Sequence, residues 1–249
     1  MPPIPVAITF DNMGNAADIG RGSHLQADSD EVGLRVGLTR IEKMLARYRL
    51  KATFFVEGWN ALHHGDRITG LLDQGHEIGL HGWVHEPWAA LDEARERAII
   101  AAGQAALDTY GAQVAGFRAP GGYGTSRTSG LLAEFGLSYE SSVDEDGFRL
   151  AETGVVCLPF TWSAVDWWWF SVRDPAADTT QWRVGWNALL DDAAVREKPL
   201  VLVAHARVSG VDSDRARNLE GILERIAGDD RFESVLMRDL AVRTRTTAT

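Results

Sequence analysis

Val6-Ala7-Ile8-Thr9-Phe10-Asp11 is a short apolar run closed by a carboxylate, and its reading decides the fold. Apolar side chains at successive positions, rather than at alternate ones, suit a strand covered on both faces, as in a parallel sheet. Working outward, Ala52 to Val56, Glu77 to Leu80, Val114 to Phe117, Ser138 to Ser141, Val155 to Leu158, Leu200 to Ala204 and Ser234 to Leu236 read as further short strands. Between them, Val36 to Tyr48, Ile68 to Gln74, Leu91 to Tyr110, Ser126 to Phe135, Trp182 to Val195 and Asn218 to Ala227 read as helices, and a helical turn ends the chain. Gly75 and Gly136 stand where helix stops are needed. Strand and helix alternating from end to end predict an α/β fold with one parallel sheet closed into a TIM-like barrel. No Pro/Ser-rich linker and no internal repeat divides the chain, so residues 1–249 are read as a single domain.

Composition narrows the function classes. Hydrophobic residues at 45% and charged residues at 24% fit a globular enzyme and exclude a disordered chain. The formal net charge of −10 argues against nucleic acid or an anionic membrane as partner, because either needs a positive footprint. No apolar run approaches the ~20 residues that cross a bilayer, so no transmembrane segment is expected. The start, Met1-Pro2-Pro3-Ile4-Pro5, lacks the features of a secretory signal, so the expected location is cytoplasmic. The one cysteine, Cys157, lies in an apolar run and is expected to be a small buried hydrophobe. Nothing in the sequence specifies an oligomeric state.

In barrels of this type chemistry sits on the loops after the C-terminal ends of the strands. Asp11-Asn12, His81 with His85, Arg118, Asp166 and His205 all stand at predicted strand ends, so they should share one bowl. On a helical turn the four-residue spacing of His81 and His85 would put both imidazoles on one face, able to grip a divalent ion; a pair of loop or core-capping histidines is the alternative. Asn12 and Asp11 are the nearest candidates for a third ligand. Asp11 is either a capping or ion-pairing carboxylate or a positioned base. Arg118 would suit a partner that orients it. His205 is either a hydrogen-bonded core residue or a proton donor, with Asp166 available to raise its pKa. Four tryptophans occur between Trp162 and Trp169, and they cannot all be buried on one side of a strand. Trp167 and Trp168 are candidates to present flat faces to a sugar ring, with a core-plus-lid role as the alternative. The segment Asn12 to Asp30, rich in Gly, Asp, Asn and Ser, reads as a long loop of a length uncommon without a function.

Taken in order, these motifs resemble those of the polysaccharide deacetylase family (carbohydrate esterase family four). Thr9-Phe10-Asp11-Asn12 resembles the first motif, and Gly75-His-Glu-Ile-Gly-Leu-His81-Gly-Trp-Val-His85 the second. Arg118-Ala-Pro120-Gly121 resembles the third, Val165-Asp166-Trp167 the fourth and Leu202-Val-Ala-His205 the fifth. The resemblance implies a distorted barrel of about seven strands, (β/α)7, and metal-dependent removal of an N-acetyl or N-formyl group from an aminosugar or small amide. It implies Asp11 as base, His205 as acid, Arg118 and Asp166 tuning the two, and His81, His85 and Asn12 holding a divalent metal, zinc first, with cobalt, nickel or manganese as alternatives. A backbone N–H near Gly121 would help hold the oxyanion. Three positions depart from the pattern. Asn12 stands where the family usually has a metal-binding Asp, Gly121 replaces an aromatic residue, and Ala206-Arg207 follows His205 where an Asp is common. The surroundings of His81 and His205 are also similar to lipid-linked aminosugar deformylases. An allantoinase-like cyclic amide hydrolase, with or without metal, and a catalytically silent carbohydrate-binding barrel are the competing expectations.

Overall fold

The structure is a computed structural model that describes residues 2–22, 31–143 and 146–247. Its strands are β1 (Ile4–Asp11), β2 (Thr53–Val56), β3 (Glu77–Leu80), β4 (Gly116–Arg118), β5 (Tyr139–Ser141), β6 (Arg149–Leu150), β7 (Val156–Cys157), β8 (Leu200–His205) and β9 (Phe232–Val235). The helices are α1 (Ala16–Gly20), α2 (Thr39–Tyr48), α3 (Gly58–His63), α4 (Gly65–Asp73), α5 (Glu93–Asp108), α6 (Thr128–Glu134), α7 (Thr179–Arg196), α8 (Ser213–Gly228) and α9 (Met237–Thr247). All strands lie in one curled sheet, ordered β6-β7-β5-β4-β3-β2-β1-β8. Every pairing is parallel except β6 with β7. β8 pairs with Val6 to Asp11 of β1, while β2 pairs with its last three residues and β9 with Ile4 to Ala7. The eight strands read from the sequence are present as β1 to β5, β7, β8 and β9, joined by a two-residue antiparallel β6 that was not anticipated. The bridge Val143 with Phe160 carries the β5–β7 pairing onward, and among the described residues the circle closes onto β8 only through the isolated bridge of Val165 with Val203. This is the distortion of the barrel.

Alternation along each strand sorts side chains between two cores. Phe10, Phe54, Val56, Ile78 and Leu80 face outward against Ile41, Leu45, Ile100, Leu219 and Leu223 of the helices. Ala7, Phe55, Tyr139, Val156, Val201 and Val203 fill the barrel. Two glycines make that filling possible. A Cβ on Gly79 would come within 2.7 Å of the Phe55 ring, and one on Gly116 within 2.1 Å of the Tyr139 ring. Beneath those rings the buried Glu77 accepts from Thr53 Oγ1 at 2.7 Å, Tyr139 Oη at 2.8 Å and Arg238 N at 3.1 Å. This satisfied carboxylate ties β2, β3, β5 and α9 together at the N-terminal end of the barrel, where a role in stability is the general rule.

Several predicted boundaries shift for identifiable reasons. Helix α8 begins at Ser213 rather than Asn218, because the Asp212 side chain caps Asp214 N and Arg215 N. Helix α7 begins at Thr179 behind a reciprocal Asp178–Gln181 capping box. The last helical turn is a full helix, α9, whose buried face of Met237, Leu240 and Ala241 packs against the barrel. The predicted loop Asn12 to Asp30 contains α1, while residues 23–30 lie outside the described residues. Helix α3 was not anticipated. Cys157 is buried as expected.

Candidate active site

The C-terminal ends of the strands open into a cavity of about 350 Å³. Asp11, Asn12, His81, His85, Arg118, Gly121, Trp167 and His205 all line it. Asp166 stands directly behind His205, fully buried. Of the residues singled out from sequence, only Trp168 is not brought to this site: its ring packs edge-on against Trp169 and onto the barrel core. Trp162, overlooked as a site residue, lines the cavity instead and donates to Tyr123 Oη at 3.0 Å.

Asp11 ends β1, and Arg118 ends β4. Arg118 Nη1 donates to Asp11 Oδ1 at 2.7 Å and to Thr9 Oγ1 at 2.8 Å, while its Nε and Nη2 reach Ser141 Oγ at 3.3 and 2.9 Å. The guanidinium is wholly buried between the Phe55 and Phe160 rings, 4.1 and 4.9 Å from their centroids. Burial alone would push the Asp11 carboxyl up, but nearby positive charge, Arg118 foremost, outweighs it and holds the group below its ordinary range. Burial likewise lowers Arg118, and a guanidine stays protonated under such a shift. Asp11 is therefore an oriented anion. Thr9 and Ser141 are site residues that the sequence alone did not reveal.

His81 immediately follows β3, and its Nδ1–H donates to Arg118 O at 2.9 Å. That bond fixes the tautomer and leaves Nε2 with a lone pair facing the cavity, 4.0 Å from Asp11 Oδ2. The expected helical turn between the two histidines is absent. Residues 81–85 form an irregular turn with Gly82 at φ 74° and His85 at φ 61°, and this loop brings the two rings to 5.1 Å. Glu86 holds the turn, accepting from Trp83 N at 2.9 Å and Val84 N at 3.2 Å. Burial lowers both imidazoles, His85 to about 3, so each is neutral at pH 7. Asn12, in the left-handed region at φ 54°, carries a buried Oδ1 with no hydrogen-bond partner. Two neutral imidazoles and an orphaned amide oxygen, all from residues lining the one cavity, fit a divalent ion of borderline softness. Among the described residues no group of three or more His, Cys, Asp or Glu is arranged to hold a metal ion.

His205 ends β8, paired with Asp11 in register across the β1–β8 ladder. Its Nδ1–H donates to Asp166 Oδ1 at 2.6 Å, which turns Nε2 toward the cavity. Asp166 also accepts from Trp167 N at 2.6 Å, His205 N at 2.9 Å and the Ser209 hydroxyl. Asp166 does not follow a strand as expected. Trp162 to Ala164 is a single turn of 3₁₀ helix, and Val165 contributes only its bridge to Val203. Burial alone would lower His205, but the charge and hydrogen bond of Asp166 more than offset it, and the imidazole lies above its ordinary range. Ser209 is a further residue that sequence reading missed, although it lies four positions beyond His205. Gly121, at φ 76°, has nothing within 4 Å of where a Cβ would sit, so its missing side chain leaves that part of the cavity open.

Sequence and structure comparisons agree on lineage. The family profile described as Polysaccharide deacetylase matches residues 1–139, more than half the chain. A peptidoglycan deacetylase of Helicobacter pylori is 29% identical over 133 residues, 53% of this chain and 44% of that protein. Chitin deacetylase 1 of Saccharomyces cerevisiae is 33% identical over 98 residues, 39% of this chain and 33% of that protein. The matched region thus spans less than half the length of these curated relatives. A Mycobacterium smegmatis structure assigned to the polysaccharide deacetylases superposes with a TM-score of 0.87 at 28% identity, covering 99% of this chain and 91% of that one. The PuuE allantoinase superposes with a TM-score of 0.82 at 21% identity over 98% of this chain and 91% of that one, a likeness of fold alone. The five motifs at the mouth of a distorted barrel and the profile match lead to one conclusion: this chain is a member of the polysaccharide deacetylase family.

Proposed function

We propose that the chain hydrolyses an amide, releasing an acetyl or formyl group from the nitrogen of an aminosugar or small amine. The observation that carries this reading is the pairing, in one cavity, of an anionic Asp11 with a His205 whose imidazolium is stabilised from behind by Asp166. A base held ionised and an acid held protonated over the same pH range are what amide hydrolysis requires. The relatives named for peptidoglycan and chitin deacetylation support the choice of an N-acyl sugar as substrate class.

In this mechanism a water within hydrogen-bond reach of Asp11 Oδ2, the carboxylate oxygen that Arg118 leaves free, is the nucleophile. Asp11 Oδ2 takes a proton from that water as its oxygen attacks the acyl carbon, while Arg118 holds Oδ1 and fixes the carboxylate plane. His205 Nε2 gives its proton to the nitrogen as the C–N bond breaks, and Asp166 stabilises the imidazolium before that step. A backbone N–H near Gly121, which lines the cavity, would help hold the developing oxyanion. Asn12, His81 and His85 would hold a divalent metal, which when bound supplies Lewis-acid polarisation of the acyl carbonyl. Trp162 and Trp167 offer flat walls to the sugar ring.

The absence of a carboxylate from the donor set favours one second reading, a cyclic amide hydrolase working without metal. Metal analysis of the purified protein separates the two. The deacylase reading expects a stoichiometric divalent ion that is lost in His81→Ala, together with acetate or formate release from an N-acylated amine. It also expects Asn12→Asp to tighten metal binding by roughly tenfold or more, the scale of adding one charged ligand. A metal-free protein that opens a cyclic amide would overturn it.

A further inference from the structure

The cavity lining is of two kinds. Phe160, Trp162, Val165, Trp167 and Val208 are apolar or aromatic. Asp18 of α1, Arg21 just after α1 and Arg207 in the turn after β8 are charged. Both guanidiniums address the same carboxylate. Arg207 Nη1 contacts Asp18 Oδ2, and Arg21 Nη1 lies 3.7 Å from Asp18 Oδ1. Deeper in, the charge of Asp11 is matched by Arg118. Among the residues lining the cavity three arginines stand against two aspartates, an excess of one positive charge before the His205 imidazolium is counted, in a chain of formal net charge −10.

From this imbalance we infer that the amine half of the substrate carries an oxyanion, a carboxylate or a phosphate, which Arg21 and Arg207 receive at the cavity mouth. The inference rests on the N-deacylase reading and adds the charge of the substrate to it. An excess cation in a concave, partly apolar site focuses anions from solution, against a surface that elsewhere repels them. The two side chains remain 69% and 57% exposed, so their heads can leave Asp18 for a ligand with little desolvation cost. A planar guanidinium suits carboxylate and phosphate alike, through paired N–H donors. The shared chemistry is the oxyanion, and the two sources are told apart by probe.

Calorimetric titration of the purified protein with N-acetylglucosamine, N-acetylglucosamine 6-phosphate and N-acetylmuramic acid compares neutral, phosphorylated and carboxylated amides directly. We expect at least one anionic probe to bind tighter than the neutral one by roughly tenfold, the scale of one charge-assisted hydrogen bond. Preference for the phosphate or for the carboxylate names the source. The Arg21→Gln, Arg207→Gln double variant should bring the anionic probes down to the level of the neutral one. Asp18→Asn should act in the opposite direction, tightening the anionic probes several-fold by freeing both guanidiniums; a misfolded variant cannot produce a gain. Equal binding of all three probes, or an Asp18→Asn variant with no gain, overturns the inference. Anion preference without acyl release supports it while counting against the deacylase reading, and acyl release from neutral and charged probes at equal affinity does the reverse.

Discussion

At Asp11 the two carboxylate oxygens are separated in role by their neighbours, Oδ1 accepting from Arg118 and Oδ2 facing His81 Nε2 across 4.0 Å. His205 shows the same division between its two nitrogens, with Nδ1 committed to Asp166. The sign of the pH dependence follows. Activity requires ionised Asp11 and protonated His205. It should therefore fall as pH rises through the His205 value, above 6.5, and again as pH drops through the Asp11 value, below 3.8. Ser209 acts through Asp166 and is a positioning residue. Removing its hydroxyl in Ser209→Ala takes one donor from Asp166 and leaves more of that charge for the imidazolium. The high-pH limb of kcat/KM should move upward and turnover should fall by about 1 kcal/mol of barrier, with Ser209→Thr restoring both. A variant whose profile keeps the wild-type limb would show that Ser209 only packs.

At the scale of elements, the strand ends were legible because each chemical group sits directly after an apolar run: Asp11 after Phe10, Arg118 after Phe117, His205 after Ala204. Asn12 and the histidine pair were legible as motif, but the reason given for the pair was wrong. A loop with two positive-φ residues, rather than a helical face, gathers the rings. The role of Trp168 was not legible, because residues 168–172 form a short π-helix, whose wide turn follows neither the strand period nor the α-helical one by which faces are assigned. Ser209, Thr9 and Ser141 are small polar residues without a spacing signature, and only the tertiary contacts select them. One such contact is the meeting of the irregular turns at residues 33–38 and 206–210. A Cβ on Gly37 would lie 2.2 Å from Ala206 O, and one on Gly210 2.7 Å from the Gly37 Cα. Gly37→Ala should push the turn that carries Ser209. We expect a destabilisation of about 1–3 kcal/mol with a lowered kcat, read by urea denaturation and steady-state kinetics together. Wild-type values of both would show that the turns can separate freely.

Across the whole molecule, buried carboxylates differ in how fully they are partnered. At the N-terminal end Glu77 has its partners. Near the site Glu57, following β2 and fully buried, has one oxygen accepting from Asn60 Nδ2 at 2.5 Å and the other unpartnered. Burial first, with the charge of Asp11 adding to it, pushes Glu57 up to about 8 from an ordinary 4.5. Between those values the folded chain holds a proton that the unfolded chain has released, so this group removes stability as pH rises, by up to about 1.4 kcal/mol per pH unit. Glu57→Gln should therefore gain on wild type in denaturant midpoint as pH rises from about 5 to about 8. A relative midpoint that stays constant with pH would rule that titration out. The charged residue closing Thr53-Phe54-Phe55-Val56 was visible in the sequence, but its burial was not, since a carboxylate at that place is usually solvated. Asp11 remains the group on which the chemistry turns. Its conversion to Asn preserves shape while removing the base, so free acetate or formate appearing from an N-acylated amine, followed by proton NMR, should slow by roughly 10²–10⁴-fold in Asp11→Asn. Release at the wild-type rate by that variant would contradict the assignment of Asp11 as the base.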